Sequence, residues 1–204
     1  MHWGSMRVLI VTDIFGITAA VLSLASSLRD KQVHVEVVEP YDGTEKSFID
    51  DQSAYETFLA NCGHDRYFRK VKNVISSSLE ELVIIGFSAG ASAAWRTMEL
   101  DWQPKLLHFI GFYPGQIRNY LDITPKYPCT IVLPNREEHF SVSEVSSVLK
   151  EIDNVHCIHT ELGHGFMNPL SYHFSNAGAD AFNKVINQAS KLADVATLRR
   201  LLQR

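Results

Sequence analysis

Leu82–Trp95, LVIIGFSAGASAAW, decides how the chain folds. Its first half, Leu82 to Phe87, is a short unbroken apolar run of the kind that forms a strand covered on both faces in a parallel sheet. Its second half, from Ala89 on, has the small residues of a slim helix. Between them stands G-x-S-x-G with Ser88 at its centre, and strand, turn and helix in that order make this otherwise common pattern a nucleophile elbow. Gly86 and Gly90 avoid the clashes that side chains would make in so sharp a turn, which lifts the Ser88 hydroxyl clear of the sheet. The plainer alternative is a glycine-rich strand-to-helix turn around a buried serine; strand, elbow and helix in that order favour the nucleophile.

Outward from this stretch the chain alternates in period. Upstream, Arg7–Val11 reads as a buried strand, Ile17–Asp30 as a helix and Val33–Val38 as a strand ending before Pro40. Ser53–Ala60 and Asp65–Ser77 follow as a short and a longer helix broken near Gly63. Downstream, Ala89–Leu100 is expected to be helical, Leu106–Phe112 and Cys129–Leu133 strands, Val142–Ile152 a helix and Val155–His159 a last strand. Helical spacing from Ser175 to about Leu202 closes the chain. Six strands separated by helices imply a mostly parallel sheet in a three-layer α/β fold, because a parallel connection needs a crossover of about a dozen residues. Residues 6–204 are expected to form one domain, with MHWGS at 1–5 lying outside it. No internal repeat or low-complexity linker divides the chain.

Composition narrows the function. With 204 residues, 46% hydrophobic and 21% charged, the chain has the make-up of a globular domain. A net charge of −4 and no basic stretch interleaved with aromatics argue against nucleic acid. Cys62, Cys129 and Cys157 are an odd, widely spaced set, which fits neither a disulfide framework nor a zinc site. The N-terminal apolar run lacks the flanks of a signal peptide, and no run approaches the roughly 18 residues of a spanning helix, so a cytoplasmic protein without membrane attachment is expected. The apolar stripe Val185, Ile186, Ala189, Leu192 and Ala196, continuing through Leu198, Leu201 and Leu202, belongs either to the core or to a partner surface. A monomer or homodimer is expected.

A serine hydroxyl needs a histidine to remove its proton and an acid to fix that histidine's tautomer. In a strand-elbow-helix fold these follow the nucleophile in the order acid, then histidine, on loops at the carboxyl ends of strands. His164, in LGHGFMNP just past the last strand and between two glycines, has that position. His34, His108, His156 and His159 lie inside strands, and His2, His64, His139 and His173 lack the position. The acid falls on the adjacent pair Glu137 and Glu138, with Glu138 preferred on spacing. The backbone N–H of Ala89, free at the start of its helix, can face a developing oxyanion.

Five motifs in order, over about Met6 to Lys191, resemble the dienelactone hydrolase family of α/β-hydrolases. TDIFG at 12–16 is similar to its oxyanion segment, GFSAG at 86–90 to its elbow, and GFYP at 111–114 to the strand end that follows. EHF at 138–140 is similar to its acid segment, and HGFMNP at 164–169 to its histidine loop. The resemblance implies an α/β-hydrolase fold with minimal or no cap. It implies esterase-type acyl transfer on a small carboxylic ester, or on a lactone or thioester, without metal or organic cofactor. The site it implies is Ser88, His164 and Glu138, with Ile14 N–H as second oxyanion donor beside Ala89. Asp13, Phe15, Phe87, Tyr113 and Phe166 fall where substrate contacts are expected.

The chain departs from the family in three places. Serine stands at 88 where well-known members carry cysteine, Asp13 follows Thr12 where they carry glutamate after histidine, and Asn168 takes the place of an arginine that holds a lactone carboxylate. The stretch from 42 to 81 is short, which suggests an open site taking small acyl groups. A non-catalytic binding protein on the same scaffold is the competing reading, because a fold carries no function by itself.

Overall fold

The computed structural model describes residues 6–103, 105–188 and 191–203. Among the described residues six strands and seven α-helices follow in the order β1 (Met6–Val11), α1 (Ala19–Arg29), β2 (His34–Val38), α2 (Asp51–Asn61), α3 (Gly63–Ser77), β3 (Glu81–Phe87), α4 (Ala89–Trp95), β4 (Leu106–Phe112), β5 (Cys129–Leu133), α5 (Val142–Lys150), β6 (Val155–His159), α6 (Asn176–Ile186) and α7 (Val195–Leu202). A 3-10 turn at Gly115–Asn119 follows β4.

All six strands are parallel, in the order β2-β1-β3-β4-β5-β6. The α/β-hydrolase architecture expected from the sequence is therefore the one observed. Strand residues alternate between two cores: Leu9, Val11, Ile84, Phe109 and Ile131 pack on one face with α2 to α5, while Val8, Ile10, Val83, Ile85, Ile110 and Val132 pack on the other with α1, α6 and α7. Burial on both faces explains why the strands read as continuous apolar runs.

Chain order reverses between β1 and β3, and such a switch point opens a crevice at the carboxyl ends of the strands. The register Ile10↔Ile85 and Val11↔Gly86 brings those two ends level. The turn after β1 is thereby set beside the elbow after β3.

Two helices differ from expectation. α4 stops at Trp95 rather than Leu100 because the chain tightens into three-residue turns, with Thr97 N donating to Ala94 O and Met98 N to Trp95 O, while Met98 O accepts from Lys126 N instead. The closing helix is two helices, α6 and α7, the second begun by Asp194, whose carboxylate accepts from Thr197 N at 3.1 Å. Part of the apolar stripe of this region is used internally: Ile186, Leu192, Leu198 and Leu202 are buried in the core against the sheet, while Ala196 is exposed. Ala189 and residues 1–5 lie outside the described residues. Among the described residues, no helix is long and apolar enough to cross a membrane.

Candidate active site

Ser88 sits between β3 and α4 at φ 47° and ψ −113°, a left-handed conformation costly for any residue with a Cβ. It is held by packing on both sides. Ser88 N donates to Phe112 O at 2.9 Å and Ser88 O accepts from Ser92 N at 2.9 Å. The turn needs glycine at 90, where a Cβ would stand 2.2 Å from Thr12 O and 2.5 Å from Val11 O, and at 86, where one would stand 2.7 Å from Ala91 Cα.

Ser88 Oγ lies 2.7 Å from His164 Nε2. His164 is carried by the loop after β6, in which Gly165 adopts φ +81° and has no room for a Cβ beside Ser171 Oγ. Its other ring nitrogen, Nδ1, is 2.7 Å from Glu137 Oε1. With Nδ1 protonated and donating to that carboxylate, Nε2 is left to accept from the serine hydroxyl.

The acid against His164 is therefore Glu137, not Glu138. In the loop after β5, which Asn135 N joins to Leu162 O, Glu137 faces inward, its side chain only 11% exposed. Glu138 points to solvent at the rim of the cleft. Glutamate rather than aspartate fits this geometry, since the extra methylene lets the carboxylate reach the imidazole from one residue before the position of the family motif.

The turn after β1 is a second functional element. Thr12 O accepts from Tyr67 Oη at 2.8 Å, Asp13 O accepts from Gly16 N at 3.2 Å, Ile14 O accepts from Tyr41 Oη, and Phe15 N donates to Asp13 Oδ1 at 2.9 Å. These bonds immobilise the peptides on either side of Ile14, whose N–H keeps no acceptor among the described residues. Ala89 N–H, at the first position of α4, is likewise unengaged, and both residues line the cleft beside Ser88. Backbone N–H groups left without a protein acceptor in a cleft are able to bind an anion.

Asp13 is 6% exposed. Its Oδ2 accepts from Asn168 Nδ2 at 2.7 Å, tying the β1 turn to the histidine loop. Burial pushes its pKa up to about 6 against the opposing pull of the Asn168 and Phe15 hydrogen bonds.

Phe15 and Asp13 line the cleft over Ser88, and Phe87, Tyr113 and Phe166 do not. Phe87 stacks on Phe112 with ring centroids 5.2 Å apart. Tyr113 and Phe166, both fully buried, lie beneath the site, and the Tyr113 ring centroid is 5.2 Å from that of His164. Of these three, Tyr113 packs against the His164 imidazole, with Phe166 behind it at 5.2 Å.

The cleft over Ser88 has a volume of about 690 Å³. α2 and α3 build one wall through Asp51, Gln52, Tyr55 and His64, and the histidine loop builds another through Tyr172 and His173. Tyr172 N donates to Asp51 Oδ2 at 3.0 Å, joining the walls. Sequence reasoning missed these contributors because they share no motif spacing; they meet only through the sheet order. Among the described residues, no cluster of histidine, cysteine or carboxylate side chains could hold a metal ion.

Residues 5–192 match the model of the dienelactone hydrolase family. The Bacillus subtilis (strain 168) protein YczH is 30% identical over 134 residues, covering 63% of this chain and 63% of YczH, so the match spans less than two thirds of that relative. Among solved structures, a Klebsiella pneumoniae protein assigned to the dienelactone hydrolases superposes with a TM-score of 0.68 at 15% identity, covering 93% of this chain and 86% of that one. The dienelactone hydrolase-like promiscuous phosphotriesterase P91 from metagenomic libraries gives 0.65 at 12% identity, covering 96% and 87%. At such identities the superpositions speak for the fold alone. The family model spans nearly the whole chain, and this protein belongs to the dienelactone hydrolase family.

Proposed function

We propose that the protein is a carboxylic ester hydrolase working through an acyl-enzyme on Ser88. The observation that carries this reading is the 2.7 Å approach of Ser88 Oγ to His164 Nε2 at a strained elbow. In acylation, Oγ forms a bond to the ester carbonyl carbon as its proton passes to Nε2. The carbonyl oxygen becomes an oxyanion facing Ile14 N–H and Ala89 N–H, and the imidazolium is stabilised by Glu137. Collapse of the tetrahedral species breaks the carbon–oxygen bond of the leaving alkoxide, which takes the proton from Nε2. Water, deprotonated by His164, then attacks the acyl-enzyme, and the acid departs as Ser88 recovers its proton. Lactones and thioesters are open to the same chemistry.

The test is hydrolysis of a panel of nitrophenyl and alkyl esters by the wild-type protein and by Ser88→Ala. Turnover lost at least about 10³-fold in the variant, with folding intact, is expected from removal of a nucleophile acting as one unit with its base. Absence of turnover on every ester, lactone and thioester would favour a ligand-binding protein on the same scaffold.

A further inference from the structure

Helices α2 and α3 place on the cleft wall an imidazole that the hydrolytic chemistry does not use. Four histidines line the cleft, His64, His139, His164 and His173. His164 is taken up by Ser88 and Glu137, and His139 and His173 are exposed. His64, at the start of α3, is half-buried and held from three sides. Its Nε2 lies 3.3 Å from Tyr55 Oη, its ring meets the fully buried Phe58 edge-on with centroids 5.1 Å apart, and its carbonyl accepts from Arg96 Nη1 at 3.4 Å. Nδ1 is left without a hydrogen-bond partner among the described residues.

The other polar side chains of that wall are engaged or solvated. Asp51 accepts from Tyr172 N with Oδ2, and its Oδ1 is closed off from solvent. Gln52 is exposed and donates to Glu56 at 2.8 Å. Arg118, on the 3-10 turn after β4, donates to Gly115 O and lies over the Phe140 ring.

The state of the ring decides what fits Nδ1. Burial, helped by Arg96 and Arg118 and opposed by Asp65, holds the imidazole toward its neutral form. One ring nitrogen then carries a proton and the other accepts. Where Tyr55 donates to Nε2, Nδ1 is a donor; where Nε2 donates to Tyr55, Nδ1 is an acceptor. A hydroxyl group meets both cases because it donates and accepts, whereas a carboxylate or ketone oxygen meets only the first and an ammonium only the second. The lining does not favour an anion, with carboxyl groups on Asp13, Asp51, Glu137 and Glu138 against guanidinium groups on Arg118 and Arg136 alone. Arg96 and Arg118 beside the imidazole disfavour an ammonium.

We infer that His64 is a specificity-determining residue whose Nδ1 hydrogen-bonds a hydroxyl group carried by the substrate. This rests on the ester hydrolase reading, and the substrate class becomes an ester with a hydroxylated alcohol or acyl part rather than a plain alkyl one. A ring already fixed in place gives up little freedom on binding, and an analogue without the hydroxyl leaves Nδ1 unpaired beneath it.

The test compares matched esters, each rate divided by its uncatalysed rate. Methyl 6-O-butyrylglucoside against cyclohexylmethyl butyrate places hydroxyl groups on the alcohol; 4-nitrophenyl 6-hydroxyhexanoate against 4-nitrophenyl hexanoate places one on the acyl chain. In at least one pair the hydroxylated ester is expected to have a kcat/KM about tenfold higher, the size of one buried hydrogen bond. His64→Phe, which keeps a ring against Phe58, should bring that ratio close to one. His64→Asn, whose amide stands where Nδ1 does, should keep part of it. A ratio near one for both pairs in the wild type, or one unchanged in His64→Phe, overturns the inference while leaving ester hydrolysis standing. Should no ester be turned over, the His64 ring signals, identified by their loss in His64→Phe, are followed by NMR during titration with methyl glucoside and with 6-hydroxyhexanamide. A saturable shift with either supports the hydroxyl site, and none with both refutes it.

Discussion

Glu137 Oε1 and His164 Nδ1 stand 2.7 Å apart, while the carboxylate one residue further along, Glu138, is exposed at the rim of the cleft. Only the first can fix the imidazole tautomer that leaves Nε2 open to Ser88. Glu137→Gln is expected to lower kcat by roughly 10²- to 10⁴-fold, the range for a triad acid that loses its charge but keeps its shape. Glu138→Gln should stay within about threefold, as a solvated rim charge does. Steady-state kinetics of the two variants side by side checks the assignment; the reverse order would return the role to Glu138.

Gly90 is the tightest point between the elbow and the β1 strand end. An added methyl would collide with two backbone oxygens, at 2.2 and 2.5 Å, and neither can move without breaking the β1 turn. Gly90→Ala is expected to destabilise the fold by more than about 3 kcal/mol, at the overpacked extreme for core substitutions. Gly43→Ala, with φ +78° but nothing within 4 Å, carries backbone strain alone and should cost about 1 kcal/mol. Urea denaturation of both separates the steric effect from the conformational one.

Asp13 makes a contribution to stability that falls as pH rises. Burial raises its pKa from 3.8 to about 6, so the folded protein binds more protons than the unfolded chain between those values. The Asp13 contribution to stability is therefore greatest below pH 4, declines through the interval and levels above pH 6, by roughly 3 kcal/mol for a shift of this size. In Asp13→Asn this contribution is absent. The wild-type minus variant difference in unfolding free energy should become less favourable by that order between pH 4 and 7; a constant difference would contradict a buried, proton-hungry Asp13.

His108 works in the opposite direction. Its Nδ1 lies 3.2 Å from Leu192 O and its Nε2 2.8 Å from Thr130 Oγ1, which itself accepts from Arg199 Nε at 3.2 Å. Thr130 therefore donates to an unprotonated Nε2. Burial lowers the His108 pKa from 6.5 to about 4, with Arg199 adding to it and the Leu192 carbonyl opposing. The folded form binds fewer protons, so this stability is fully present above pH 6.5 and is lost as pH falls toward 4, again by roughly 3 kcal/mol. His108→Gln should flatten that part of the profile, measured by denaturant unfolding at pH 4, 5, 6 and 7.

The residues that could be read from the chain alone were those whose chemistry requires a local pattern. β3, the elbow and α4 announce Ser88 because strand, glycine turn and helix are consecutive. His164 was legible because its loop needs glycine at 165, where φ is +81°. What spacing could not reveal is where adjacent side chains point. Glu137 and Glu138 are adjacent, yet the first accepts from His164 and the second is exposed at the rim. Tyr113 and Phe166 follow strand ends as contact residues would, yet the inward turn of those loops buries both. Arg118, Tyr172 and Asp51 reach the cleft from three separate segments and had no shared signature at all.

The most direct test of the account is whether Ser88 is an activated nucleophile. Intact mass after exposure to a fluorophosphonate probe, followed by peptide mapping, measures this, with Ser88→Ala and His164→Ala as controls. A single adduct on Ser88, absent in Ser88→Ala and strongly slowed in His164→Ala, is the predicted result. Folded wild-type protein that acquires no adduct, or acquires it on another residue, would contradict it.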